Sequence, residues 1–345
     1  MPVARPDRRP PTFAYFSAFV ALGLKASIIG PTLPGLAQHT HSRLEEISFL
    51  FTANSLGYLL GSFLSGRLYD RMPGHPVMAS GLLLAAAVLA LAPLIPHLWL
   101  LTIVLLLLGA SAGAVDVGGN TLLVWVHGHD VGPFMNALHF FFGVGALVAP
   151  IIVAQALLVG RDIALSYWAL ALLMLPVAVS LFRLPSPASF ASKRSDKPSS
   201  RPETPPDSGS RAQERTVVLG VVLLLGLYVG AEVTFGGWIF TYAWTLGLAS
   251  EIHAAYLTSA FWGALTFGRL LGIPIAARFR PRKILFIDLV GCLASVGVIL
   301  LWSGSPEATW LGAIGLGLSM ASIFPAAITL AERHATLTGQ MTGWF

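Results

Sequence analysis

Ten stretches of this chain are apolar for about the length that a helix needs to cross a hydrocarbon core, which is roughly 20 residues for about 30 Å. They run at about 13–35, 46–68, 76–96, 98–126, 132–159, 163–183, 216–246, 253–277, 283–303 and 307–331. That run of segments restricts the chain to one class, an all-α polytopic membrane protein. Composition agrees: 55% hydrophobic and 11% charged residues leave too little polar surface for a soluble globule of 345 residues. The first segment follows Arg5, Arg8 and Arg9, but it is too long for a signal sequence and lacks a cleavage site, so it reads as a span. Cys292 is the only cysteine, which excludes a disulfide framework and a thiolate metal set.

The net charge of +5 is explained by orientation. With a cytoplasmic N-terminus, Lys25 and Arg269 fall inside spans and Arg43 and Arg161 fall outside. Every other lysine and arginine falls on the cytoplasmic side. The expectation is a multi-pass protein of the plasma (inner) membrane, with a lipid bilayer as its partner and no nucleic acid.

A linker divides the chain. Residues 184–215 turn to Pro, Ser, Arg, Lys and Glu and have no apolar face to pack, so they read as a disordered basic cytoplasmic linker. It separates a six-helix half at 1–183 from a second half at 216–345. The two halves repeat. The offset between Lys25 and Glu232 also separates Gly23 from Gly230, Gly30 from Gly237, Gly61 from Gly268, Arg71 from Arg278 and Gly132 from Gly339. Gly132 opens the fifth span, so Gly339 is expected to open an eleventh. A complete repeat would extend for about 45 more residues. The expectation is two pseudo-symmetric six-helix halves, truncated here after about ten helices. A duplicated bundle with charges inside it is the layout of a secondary transporter.

Those charges are the candidate site. Lys25 and Glu232 lie near the middle of spans one and seven, where a charge costs at least about 2.5–3.5 kcal/mol and so must meet a partner or water. They read either as part of a substrate or ion site or as a structural ion pair between the halves. Asp116 is a second buried acid, with Asn120 one turn later. Counted outward from a turn near Gly128, Asp116 matches His139 in depth and Asn120 matches Asn136, suggesting two polar rungs between spans four and five. The rungs could be a protonatable acid with a tuning histidine beside a polyol-binding amide pair, or polar glue between helices. Arg269 could neutralise Glu232 or pair with Asp288. Gly236–Gly237 beside Glu232 suggests a weakened helix, and Trp238 an aromatic surface for a sugar ring or an interfacial residue. Gly109-Ala-Ser-Ala-Gly113 matches the G-x-S-x-G of serine hydrolases. Ser111 and His139 would differ by about 9 Å in depth at 1.5 Å per residue, so the small residues are better read as a helix-packing surface. No catalytic or metal residues are expected, and the chain is not read as an enzyme.

Gly66-Arg-Leu-Tyr-Asp70-Arg71 is similar to the G-x-x-x-D-R loop of the major facilitator superfamily, with an echo at Arg278-Phe-Arg-Pro-Arg-Lys283. After Arg71 the chain reads Met-Pro-Gly-His where the family carries a Gly-Arg-Arg run. The resemblance implies that Asp70 and Arg71 are gating residues; the family's latch partner, at the start of span eleven, would fall where the chain stops. The segments around Asp116–Asn120, Asn136–Ala146 and Gly230–Trp238 resemble the fucose-permease and sodium-dependent glucose transporter branch. That branch implies cation-coupled monosaccharide uptake by a monomer, with Asp116 near the sugar and no cofactor. Fucose permease uses an acid on span one, where this chain carries Lys25, so the coupling ion stays open between H+ and Na+. The expected mechanism links ion binding at Asp116 or Glu232 to sugar binding, with Lys25 neutralising the empty carboxylate. The alternatives are a facilitator-fold exporter of amphipathic small molecules and a non-transporting membrane sensor.

Overall fold

The computed structural model describes residues 7–160, 162–187 and 208–332, and every regular element among them is helical. Helices satisfy their own backbone groups, which a bilayer interior demands. Among the described residues, ten helical spans are long and apolar enough to cross a membrane, and the chain is a multi-pass membrane protein. Arg5, Arg161, Arg333, most of the expected linker (188–207) and Gly339 lie outside the described residues. By contacts the chain separates into unit 1, Met1–Lys197 with Glu251–Ser259, and unit 2, Pro198–Ser250 with Ala260–Phe345.

Unit 1 is built around α1 (Arg9–His39), which is 78% buried over its most apolar stretch. After the short turn α2 (Leu44–Ile47) come α3 (Phe49–Arg71), α4 (Gly74–Leu91), α5 (Leu98–His127), α6 (Gly132–Gly160) and α7 (Ala164–Arg183). α3 is only 28% buried and presents Leu59, Leu60 and Phe63 outward, as a lipid-facing helix should. Its inner face lies against α5, while α6 lies against α1.

Both joints are made by glycine. A β-carbon at Gly57 or Gly61 of α3 would overlap the carbonyl oxygens of Leu106 or Ala110 of α5. One at Gly109 or Gly113 of α5 would overlap those of Asn54 or Tyr58 of α3. Lipid tails are as apolar as leucine, so helices in a membrane associate largely through close backbone approach at small residues. This is the role of Gly109-Ala-Ser-Ala-Gly113. Ser111 donates its hydroxyl to the Leu108 carbonyl of its own helix. The α1–α6 joint repeats the device, with Gly23 against the Phe142 carbonyl and Gly145 against that of Val20.

Unit 2 contains α8 (Ser208–Thr245), α9 (Glu251–Arg278, from Ala260 onward), α10 (Pro281–Leu301), α11 (Pro306–Met320) and α12 (Ile323–Glu332). α8 starts at Ser208, inside the stretch expected to be linker, because an Arg/Gln/Glu-containing turn continues the helical register of the span. It also runs unbroken through Gly236–Gly237, where a weakened helix was expected. Gly236 instead gives room to the indole of Trp262, into which a β-carbon there would run. The tenth span is two helices, α11 and α12, and at the break Ser322 donates to Asp288 Oδ2 on α10 at 2.7 Å.

Candidate functional site

In unit 1 the polar residues converge on α3. Asn54 and Tyr58 are one turn apart on the face that Gly109 and Gly113 bring into backbone contact with α5. That closeness lets the Tyr58 hydroxyl reach Asp116, three residues beyond Gly113, and donate to Oδ2 at 2.5 Å. Asn120 Nδ2 donates to the Asp116 carbonyl at 2.9 Å and to Oδ1 at 3.2 Å. From α1, Lys25, only 4% exposed, donates Nζ to Asn54 Oδ1 at 2.7 Å.

Three helices therefore hold a stripe in which a buried cation and a half-buried acid each rest on neutral groups. Among the described residues, no ion pair within 4 Å includes either charge. An ammonium has three donors and a carboxylate about four acceptor positions, so both keep unused capacity for a ligand.

Equal depth on successive spans does not amount to contact. α5 is joined to α3 and α6 to α1, so the bonds to Asp116 come from Tyr58 and Asn120, and Asn120 turns toward its own helix. His139 meets the ring of Phe19 edge-on at 5.8 Å, and Asn136 is exposed. The sequence reading missed Asn54 and Tyr58. Their signal was partial: Asn54, Tyr58 and Ser62 recur every fourth residue along the span, among other polar residues such as Thr52, Ser55 and Ser65.

Asp70 and Arg71 end α3, both exposed, and border an open cleft of about 600 Å³ that Tyr69, Trp125, Leu184 and Ser186 also line. Beside it, His75 is fully buried. Its backbone N–H donates to Ser186 Oγ at 3.0 Å, and Nδ1 lies 3.0 Å from the Leu184 carbonyl. A carbonyl only accepts, so Nδ1 carries the proton and Nε2 accepts from the Tyr15 hydroxyl at 2.7 Å. This clasp ties the chain leaving α7 to the starts of α4 and α1. A lone histidine after a Pro-Gly pair gives no sequence sign of it.

Unit 2 holds Glu232 on α8, 8% exposed, with its Oε1 3.9 Å from Arg269 Nη2 on α9. Of the two partners considered for Arg269, the structure brings it to Glu232, and Asp288 bonds Ser322 instead. Tyr228 lies one turn before Glu232 and Trp262 lies against Gly236, one turn after it. Both are buried, and their polar atoms lack a hydrogen-bond partner. Trp238 is half-buried on the same helix. Among the described residues, no three His, Cys, Asp or Glu side chains gather where a metal ion could sit.

The family model of the Major Facilitator Superfamily matches residues 13–345. The chain is 30% identical to the mouse (Mus musculus) protein named sodium-dependent glucose transporter 1A, over 96% of this chain and 84% of the relative. It is 32% identical to the Xenopus laevis sodium-dependent glucose transporter 1, over 92% and 69%. Among solved structures, the E. coli xylose transporter in a partially occluded inward-open conformation superposes with a TM-score of 0.74. The identity is 12%, over 96% of this chain and 85% of that one. At that identity the likeness concerns the fold alone.

Proposed function

The chain belongs to the major facilitator superfamily, and from that premise we propose that it is a secondary transporter coupling monosaccharide uptake to a cation, H+ or Na+, by alternating access. The observation that carries this reading is the Asp116 site. A half-buried carboxylate inside a span, whose partners Tyr58 and Asn120 are neutral, can change its occupancy by a proton or sodium ion without stranding an oppositely charged partner. The names of the similar mouse and frog proteins, sodium-dependent glucose transporters, point to a hexose and to sodium as the first pair to test.

Within this reading Asp116 is the coupling acid. Lys25, held by Asn54 at 2.7 Å on the same face of α3, is the cation that offsets the charge of the carboxylate when its ion has left. Lys25, Asn120 and Asp116 keep hydrogen-bonding capacity for sugar hydroxyls. Asp70 and Arg71, exposed at the end of α3, act in gating rather than in binding. The distribution of lysine and arginine supports a cytoplasmic N-terminus and central linker, and within this reading the carrier is a monomer of the plasma (inner) membrane.

The test is sugar counterflow in proteoliposomes with labelled glucose, galactose and fucose. Counterflow requires alternating access but no ion gradient, so substrate is tested before coupling. Saturable counterflow of one hexose is expected, followed by accumulation against a gradient of Na+ or H+. Folded, monodisperse protein that exchanges none of the three would remove the sugar assignment.

A further inference from the structure

The Glu232–Arg269 pair lies beside two buried polar groups whose hydrogen bonds are incomplete. Tyr228, one turn before Glu232 on α8, is 5% exposed, and its hydroxyl lies against Glu232 and Arg269 without completing a well-formed hydrogen bond to either. Trp262 is 4% exposed, packs against Gly236 one turn after Glu232, and leaves its Nε1 without an acceptor. A buried donor left unsatisfied costs about 1–3 kcal/mol, and native structures rarely keep one without use. Here two flank one ion pair. That pair is itself long at 3.9 Å, and the Arg269 side chain is 23% exposed, so neither charge is fully engaged. Thr266, between Trp262 and Arg269 on α9, gives its hydroxyl to the Trp262 carbonyl and does not compete. Thr241 and Tyr242 also hold unsatisfied hydroxyls, but they lie near the far end of α8, away from the pair.

We propose that unit 2 carries its own hydroxyl-recognition subsite, in which Glu232 and Arg269 grip adjacent hydroxyls of a polyol while Trp262 Nε1 and the Tyr228 hydroxyl bind those on either side. A carboxylate accepts from a hydroxyl, a guanidinium and an indole N–H donate to one, and a phenol does either, so the set suits neighbouring hydroxyls of alternating role. A ligand supplying only apolar surface would leave both orphans unsatisfied and gain nothing from the pair. The subsite rests on the sugar-transport reading and assigns discrimination among sugars to residues distinct from the Asp116 coupling site.

The experiment is equilibrium binding of labelled D-glucose to the purified full chain, in competition with its monodeoxy analogues, for the wild type, Trp262→Phe and Tyr228→Phe. Both substitutions keep the ring and remove the polar atom. Each variant is expected to bind glucose about tenfold more weakly, the scale of one buried hydrogen bond. Each should also lose the wild type's discrimination at one hydroxyl, a different hydroxyl for each. A folded variant that binds every analogue like the wild type, or weakens all of them equally, overturns the subsite and leaves the transport reading standing. Absence of glucose binding by the wild type overturns both. Should one variant fail to fold, the other decides.

Discussion

The two units bury charge in opposite ways. In unit 1, Lys25 and Asp116 each rest on neutral partners, Asn54 and Tyr58, one turn apart on α3. In unit 2, Glu232 is set against a full positive charge, Arg269. A carboxylate facing arginine has its counter-charge in place, while one held by a phenol and an amide has none. The offset that joins Lys25 to Glu232 carries Asp116 to Ile323 and Arg269 to Ser62, so each unit has added its second charge at a place the other leaves uncharged.

The sharpest way to break that contrast is to neutralise each acid in turn. Asp116→Asn should abolish gradient-driven accumulation, a loss of at least about tenfold as expected for removal of a coupling charge, and still permit counterflow. Glu232→Gln should keep accumulation and weaken sugar affinity. Ion-gradient uptake assays in proteoliposomes decide it, and the reverse pattern would place coupling in unit 2.

Stability gives the next largest effect. Arg269→Ala leaves Glu232 buried beside no counter-charge and should cost about 3 kcal/mol, the low end for a broken buried pair because Arg269 is partly exposed. The double variant Arg269→Gln with Glu232→Gln should recover most of it. Lys25→Met removes a charge whose partner is neutral and should cost about 1–2 kcal/mol, the scale of one amide left unsatisfied. Thermal unfolding in detergent compares them, and equal losses would erase the distinction between the units.

The α3–α5 joint offers a smaller test. Gly109→Val drives a side chain into the Asn54 backbone and should destabilise by about 1–3 kcal/mol through overpacking, with Tyr58 displaced from Asp116. Gly66→Ala, where a β-carbon meets nothing within 4 Å, is the matched control and should be neutral. Tyr58→Phe removes one hydrogen bond from Asp116 and should cost about 1 kcal/mol, with a shifted ion dependence of uptake that a purely structural role would leave in place. Asn136→Ala, at an exposed position, should stay within about 0.5 kcal/mol of the wild type.

Much of the site was legible as a set of residues and little of it as a set of contacts. Lys25, Asp116, Glu232 and Arg269 stand out because a charge in an apolar span needs a reason. Their partners were harder to see. Asp116 and His139 match in depth on consecutive spans, yet Tyr58, from a helix two spans earlier, makes the bond. Gly236–Gly237 read as a weak point in a helix and proved to be room for Trp262. Glycine in sequence marks a close approach without saying to what.

By itself the sequence determined the class, the helical spans and the short set of polar residues inside them. It could do so because hydrocarbon thickness dictates span length and burying charge is costly wherever it occurs. Only the tertiary structure decided which helices touch, and hence which polar groups share a site. Spans surrounded by lipid and by other apolar helices are hydrophobic on nearly every face, so periodicity does not reveal which face turns inward. Gly57, Gly61, Gly109 and Gly113 make that choice through backbone approach, and Asn54 and Tyr58 come to Lys25 and Asp116 as its consequence.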